Sequence, residues 1–163
     1  MSRQLFDLES VLQQLIVEHR KLLRHLEAQQ NAMKSFALDQ MDTAANQQEA
    51  SRLRIASLEA RRRTIVQEIA KQNRLAGELS LTRLATLFPQ RGESLLKARD
   101  ELKKVIGEIQ TRSHVAGRLA GAVLGHLNTV VRLLAGAVER AGIYTKQGVP
   151  RVSTRIGVME AVG

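Results

Sequence analysis

The chain has no cysteine and no tryptophan, one tyrosine, three phenylalanines and two prolines in 163 residues. Without cysteine, disulfides, thiolate metal sites and cysteine nucleophiles are excluded. With so few aromatics, large core fillers are scarce, and an elongated helical protein fits better than a globule around a thick core. Pro89 and Pro150 leave most of the chain free of strong helix breakers. The familiar catalytic signatures are also missing: no GxxxxGKS or GxxxxGKT phosphate loop, no GxGxxG, no HExxH and no GxSxG. His19 and His25 are six apart, and His114 and His126 twelve apart, whereas ligand pairs on one helical face sit three or four apart. No enzyme activity, cofactor or metal site is expected.

What is present is charge and helical pattern. The formal net charge is +9, and it is spread along the chain, with only the first quarter slightly acidic. The densest cluster, "EARRR" at residues 59–63, reads as a solvated helix face with intrahelical partners. Nucleic-acid surfaces usually add stacking aromatics or a recognisable motif to their basic residues, and neither occurs, so nucleic acid is not an expected partner. Asp7 and Glu9 precede any long apolar region, so no signal peptide is expected and the location reads as cytoplasmic.

Leu5, Leu8, Leu12, Leu15, His19, Leu22 and Leu26 repeat in strict three-four alternation, the mark of a narrow packing seam. His19 stands in that seam as a hydrogen-bonded core or register-setting residue. The seam weakens through Gln29, Met33, Phe36 and Gln40, and a turn is expected around residues 35–42, with Asp39, Asp42 or Asn46 available to cap a new helix. A second helix is expected from the mid-forties to about residue 76, carrying Ile55, Leu58, Ile65 and Ile69 on one face, with Gly77 as its C-cap. Ser80 caps a short helix with Leu81, Leu84, Leu87 and Phe88, which Pro89 ends and which plugs one end of a bundle. A final long helix starts near Ser94 and uses Leu95, Ala98, Leu102, Val105, Ile109, Ala116, Leu119 and Val123. The expected fold is all-α: an elongated antiparallel helical bundle or coiled coil of two helices, one short helix and a long C-terminal helix. A single helical domain over 1–142 and a mobile tail over 143–163 complete the expectation.

The stretch "VAGRLAGAVLGHLNTVVRLLAGAV", residues 115–138, is apolar yet carries Gly117, Gly121, Gly125 and Gly136. Arg118 and Arg132 leave too short an uncharged run for a bilayer span of about 20 residues, so stable membrane insertion is not expected. On a helical wheel Leu119, Val123, Leu127, Val130, Leu134 and Val138 fall within about 100° of one another, and Leu124 and Val131 widen the stripe to about 140°. Gly117, Gly121 and Gly125 drift down the opposite side beside Asn128 and Arg132. Each glycine costs the helix about 1 kcal/mol relative to alanine. Such a helix is soft alone and accommodates a partner whose backbone approaches closely. Periodicity leaves two partners open: the chain's own bundle or another protein. The tail "IYTKQGVPRVSTRIGVMEAVG" has turn formers and little helical pattern. Tyr144 there reads either as a C-terminal hydrophobic contact or as an amphipathic docking anchor.

The order of these pieces resembles the FlgN-type chaperones of bacterial flagellar export. The resemblance rests on the leucine-seam helix, then "NQQEASRLRIASLEARRRTIVQEI", the short "LSLTRLATLFP", "LLKARDELKKVIGEIQ" and "HLNTVVRLLAG" along one helix, and a tyrosine shortly after it in "GIYTKQG". It covers roughly residues 5–148. Thr111, Arg112, Ser113 and His114 stand where such proteins often have asparagines.

The resemblance implies a cytosolic chaperone that binds the C-terminal helical region of hook-filament junction proteins, prevents their premature assembly and presents them to the flagellar export gate. It implies client binding through Leu119, Val123, Leu124, Leu127, Val130, Val131, Leu134 and Val138, and gate docking through Tyr144. The alternative from the residues alone is a structural coiled-coil subunit of a secretion or ATPase assembly, oligomerising through the Leu5–Leu26 repeat.

Overall fold

Leu5, Leu8, Leu12, Leu15, Leu22 and Leu26 are all buried, so the leucine alternation is a seam packed within the chain. The computed structural model describes the backbone of residues 2–143 and the side chains of 3–137. Four helices follow in order: α1 (Ser2–Lys34), α2 (Leu38–Gln72), α3 (Leu81–Leu87) and α4 (Pro89–Ile143), with no strand among the described residues. The all-α reading is borne out, including the short helix and the long C-terminal one. Beyond Ile143, the expected tail lies outside the described residues.

Polar pairs between helices give the directions. Arg54 donates to Glu18 at 3.2 Å, and Gln48 donates to Gln29 at 2.8 Å. Later residues of α1 therefore meet earlier residues of α2, and the two helices are antiparallel. Against α4 the numbering rises together: Glu9 pairs with Arg91 at 2.8 Å, Arg20 with Glu101, and Glu27 with Arg112 at 3.2 Å. Helix α4 thus runs parallel to α1 and antiparallel to α2. At one end, Leu84 and Ala85 of α3 join Leu8, Leu12, Ile69 and Leu95 in a single apolar cluster, so α3 plugs the bundle as expected. Leu8, Leu12, Leu15, Leu84 and Leu95 are fully buried, and each contributes about 1.5–3 kcal/mol through removal from water.

The other end is built from smaller and more polar residues. On α2, Ala44, Gln48, Ser51, Ile55, Leu58, Arg62, Ile65 and Ile69 continue a four-three alternation. Gln48 is buried because its amide bonds Gln29, and buried Gln30 donates to the Arg112 carbonyl at 2.8 Å. Arg112 occupies the seam position between Ile109 and Ala116 where an apolar residue would otherwise stand.

Several element ends differ from the sequence expectation. Helix α2 begins at Leu38, not in the mid-forties, and its N-cap is Ala37 with no side-chain hydrogen bond. Asp39 lies in its first turn, and Asn46 bonds Asp42 within the helix at 3.4 Å. Its C-terminus is at Gln72, with Asn73 as C-cap in place of Gly77. Both α1 and α2 close through a left-handed residue, Phe36 (φ 52°) and Arg74 (φ 51°). In each case the next amide reaches five residues back, Ala37 to Ala32 and Leu75 to Ala70, both at 2.9 Å, which is the Schellman pattern. Ser80 caps α3 by accepting from the Arg83 amide at 3.1 Å, as expected. Pro89 ends α3 but also opens α4 five residues before Ser94, because its missing N–H and fixed φ suit a first helical position.

The chain divides into two compact units, Met1–Val123 and a second beginning at Leu124. All buried residues among those described lie in the first.

Candidate functional site

Along α4 burial ends in a clear order. Leu95, Ala98, Val105 and Ala116 are buried, and Leu119 and Val123 are half-buried. From the start of the second unit the large apolar side chains stand in water: Leu124 is 63% exposed, Leu127 45%, Val130 37%, Val131 59% and Leu134 61%. The eight expected client-binding residues therefore divide. Leu119 and Val123 close the first unit, five others form an exposed apolar face, and Val138 is helical but its side chain lies outside the described ones. Tyr144 lies outside the described residues.

Leu133 was missed by the stripe reading and is the most exposed of the group at 64%. It sits on the far side of the Leu119 position from Leu124 and Val131, so it extends the apolar arc to about half the helix circumference. The signal was legible on the wheel, but a stripe centred between Leu127 and Val130 left it at the edge.

The glycines bear on the two partners that periodicity left open. A Cβ added to Gly117, Gly121 or Gly125 would meet nothing within 4 Å. Among the described residues they serve no close approach within the chain. Thr129 folds its hydroxyl onto the Gly125 carbonyl at 3.0 Å. By length and composition α4 is the one described helix apolar enough to cross a membrane, with none of the relevant window buried.

A second concavity, an open groove of about 760 Å³, lies between α1 and α2 and is lined by residues including Phe6, Gln13, Val17, Glu18, Arg54 and Leu58. Its charges are already engaged. Glu18 accepts from Lys21 at 2.7 Å and from Arg54 at 3.2 Å. Burial pushes the Glu18 carboxyl up, but the bond and charge of Lys21, then those of Arg54, outweigh it and hold the pKa below 4.5. This is a structural anchor between helices.

The remaining singled-out residues have local partners. His19 Nδ1 lies 2.7 Å from the Leu15 carbonyl, to which it donates, as the core reading expects. Arg62 of "EARRR" pairs with Glu59 at 2.9 Å, while Arg61 and Arg63 are exposed. No group of three or more His, Asp or Glu arranged to hold a metal occurs among the described residues.

A seam-packed bundle followed by an uncovered apolar helix is suited to holding another helix. The family model described as FlgN protein matches residues 1–151. The chain belongs to the FlgN family. No curated protein and no solved structure matches it. FlgN proteins are flagellar export chaperones, soluble and cytoplasmic, and the family is not known for catalysis. The match includes both the bundle and the whole exposed face, and it runs past Tyr144.

Proposed function

We propose that this FlgN-family chaperone binds the C-terminal helical region of hook-filament junction proteins through the exposed face of α4, delays their assembly and carries them to the export gate. The observation that supports this is the uncovered row Leu124, Leu127, Val130, Val131 and Leu134. Filament-forming ends expose apolar helical surface of their own, and a helix laid along this face would cover both. Leu119 and Val123 precede this row in the sequence pattern and Val138 follows it, and Tyr144 is the anchor for gate docking.

The coiled-coil subunit reading fits less well. It needs the Leu5–Leu26 repeat for assembly, and that repeat is already buried against the chain's own helices.

Calorimetric titration of the full chain with the C-terminal segment of a junction protein, at low and high salt and with duplex DNA as control, tests the proposal. Saturable binding that survives salt and carries a negative heat-capacity change is expected. A folded Leu127→Asp, Leu134→Asp variant should lose that binding; unchanged affinity would remove the assignment. Tyr144→Ala should weaken docking of the loaded complex at the gate and leave client affinity intact.

A further inference from the structure

The helix from Leu124 to Ile143 has a second property that client binding does not use. Its two sides differ in kind. Leu124, Leu127, Val130, Val131, Leu133 and Leu134 fall on one half of the wheel with His126 among them, and all six apolar residues are exposed. Asn128, Thr129, Arg132 and Arg140 fall on the other, interleaved with Gly125 and Gly136. The Thr129 hydroxyl is turned onto the Gly125 carbonyl, which leaves Asn128 and the arginines as the polar groups of that half.

Charge follows the same division. No acidic residue occurs between Glu108 and Glu139. From Leu124 onward Arg132, Arg140, Lys146, Arg151 and Arg155 outnumber Glu139 and Glu160. A surface helix with a broad apolar face, small residues and arginines opposite, and net positive charge has the pattern of one that lies in a lipid interface. At 1.5 Å per residue the segment is about 30 Å long, enough to span a hydrocarbon core, but Arg132 near its middle and the Glu139–Arg140 pair would have to enter that core. Lying flat keeps them in water.

We propose that the α4 segment Leu124–Ile143 docks flat on anionic lipid bilayers when no protein covers its apolar face, with the leucines and valines in the acyl boundary and Arg132 toward the headgroups. The basic residues select an anionic surface over a zwitterionic one, since each gains from the negative surface potential within a Debye length. Lipid and a helical client would then occupy one face in turn. The lipid contact does not depend on which client, if any, the face holds.

The test is flotation of the full chain with vesicles of equal parts phosphatidylglycerol and phosphatidylcholine, and with vesicles of phosphatidylcholine alone, at low and high salt. The expected result is co-flotation with the anionic vesicles that falls at least about tenfold without phosphatidylglycerol or in the Leu127→Asp, Leu134→Asp variant, and severalfold at high salt or in Arg132→Gln, Arg140→Gln. Both variants change residues outside the buried core, and a retained melting temperature verifies their fold. Absence of flotation with anionic vesicles overturns the proposal, as does flotation undiminished by the two aspartates. A stable dimer in light scattering that anionic vesicles leave intact would assign the face to a second copy and also overturn it. Client affinity is measured in lipid-free solution, so the client reading and the lipid reading can fail independently.

Discussion

A Cβ on Gly92 would lie 2.8 Å from the carbonyl oxygen of Ala85, where the first turns of α4 cross the backbone of α3. Backbone cannot yield as a flexible side chain can, so Gly92→Ala must shift α4 or α3 and disturb the plugged end of the core. The expected cost is about 1–3 kcal/mol in chemical denaturation. Gly121→Ala is expected to act oppositely, because its Cβ meets open space. Helix propensity alone should slow amide exchange around residue 121 about fivefold, equivalent to about 1 kcal/mol. Equal behaviour of the two variants would contradict the contact geometry.

The Schellman end of α2 places Arg74 at φ 51°, a backbone region that costs a non-glycine residue about 1 kcal/mol. Arg74 is exposed, and no ion pair fixes its side chain in the set of close pairs between described residues. Arg74→Gly should therefore raise stability by about 0.5–1 kcal/mol, seen as a higher urea midpoint with an unchanged slope. A lower midpoint would mean that the arginine side chain matters more than the strain.

These two ends show where sequence reading succeeds and where it stops. The Leu5–Leu26 seam, the Ser80 cap and the plug role of Leu84 were legible because each has a strong local cause: apolar period, hydroxyl geometry, a short run between breakers. The start of α2 was not legible. Its seam passes through Gln48, whose amide bonds Gln29 of α1, and through Ser51, both buried although neither is hydrophobic. The end of α2 was sought at Gly77 because glycine is the usual left-handed cap, whereas Arg74 takes that conformation. On α4 the apolar stripe was legible, and two successive steps of four, Leu119 to Val123 and Val123 to Leu127, break the three-four alternation where burial changes; that the residues beyond the break are exposed was not legible, since a stutter shifts a stripe without saying what covers it. Only the positions of α1 and α2 decide where cover ends.

Glu18 links α1 to α2 and gives the fold a pH dependence. Its folded pKa is lowered from the ordinary carboxylate value, so the carboxyl binds a proton less readily folded than unfolded. The stabilisation is present in full above the ordinary carboxylate value and is lost as pH falls through the lower folded one. Lys21 and Arg54 are 40% and 56% exposed, and water screens the pairs, which limits the effect to about 1 kcal/mol. Glu18→Gln should be less stable than the parent chain by that amount at neutral pH and converge with it as the medium is acidified below the folded pKa. A difference that persists at strongly acid pH would assign the loss to packing instead.

Every member of the apolar core cluster lies between Leu5 and Ala98, and no described residue after Ala116 is buried. Stability and client capture should therefore be separable along α4. A chain ended after Val123 keeps each of these core residues and removes the whole exposed row from Leu124 onward. Its melting temperature is expected to stay within about 2–4 °C of the full chain's, the shift that about 1 kcal/mol produces at this size. Its affinity for the junction-protein segment should fall below detection, because Leu119 and Val123 alone offer only half-buried surface. Differential scanning calorimetry and titration of the same preparation check both halves. Retained client binding would move the site into the bundle, and the groove beside Phe6 and Val17 would become the surface to mutate next.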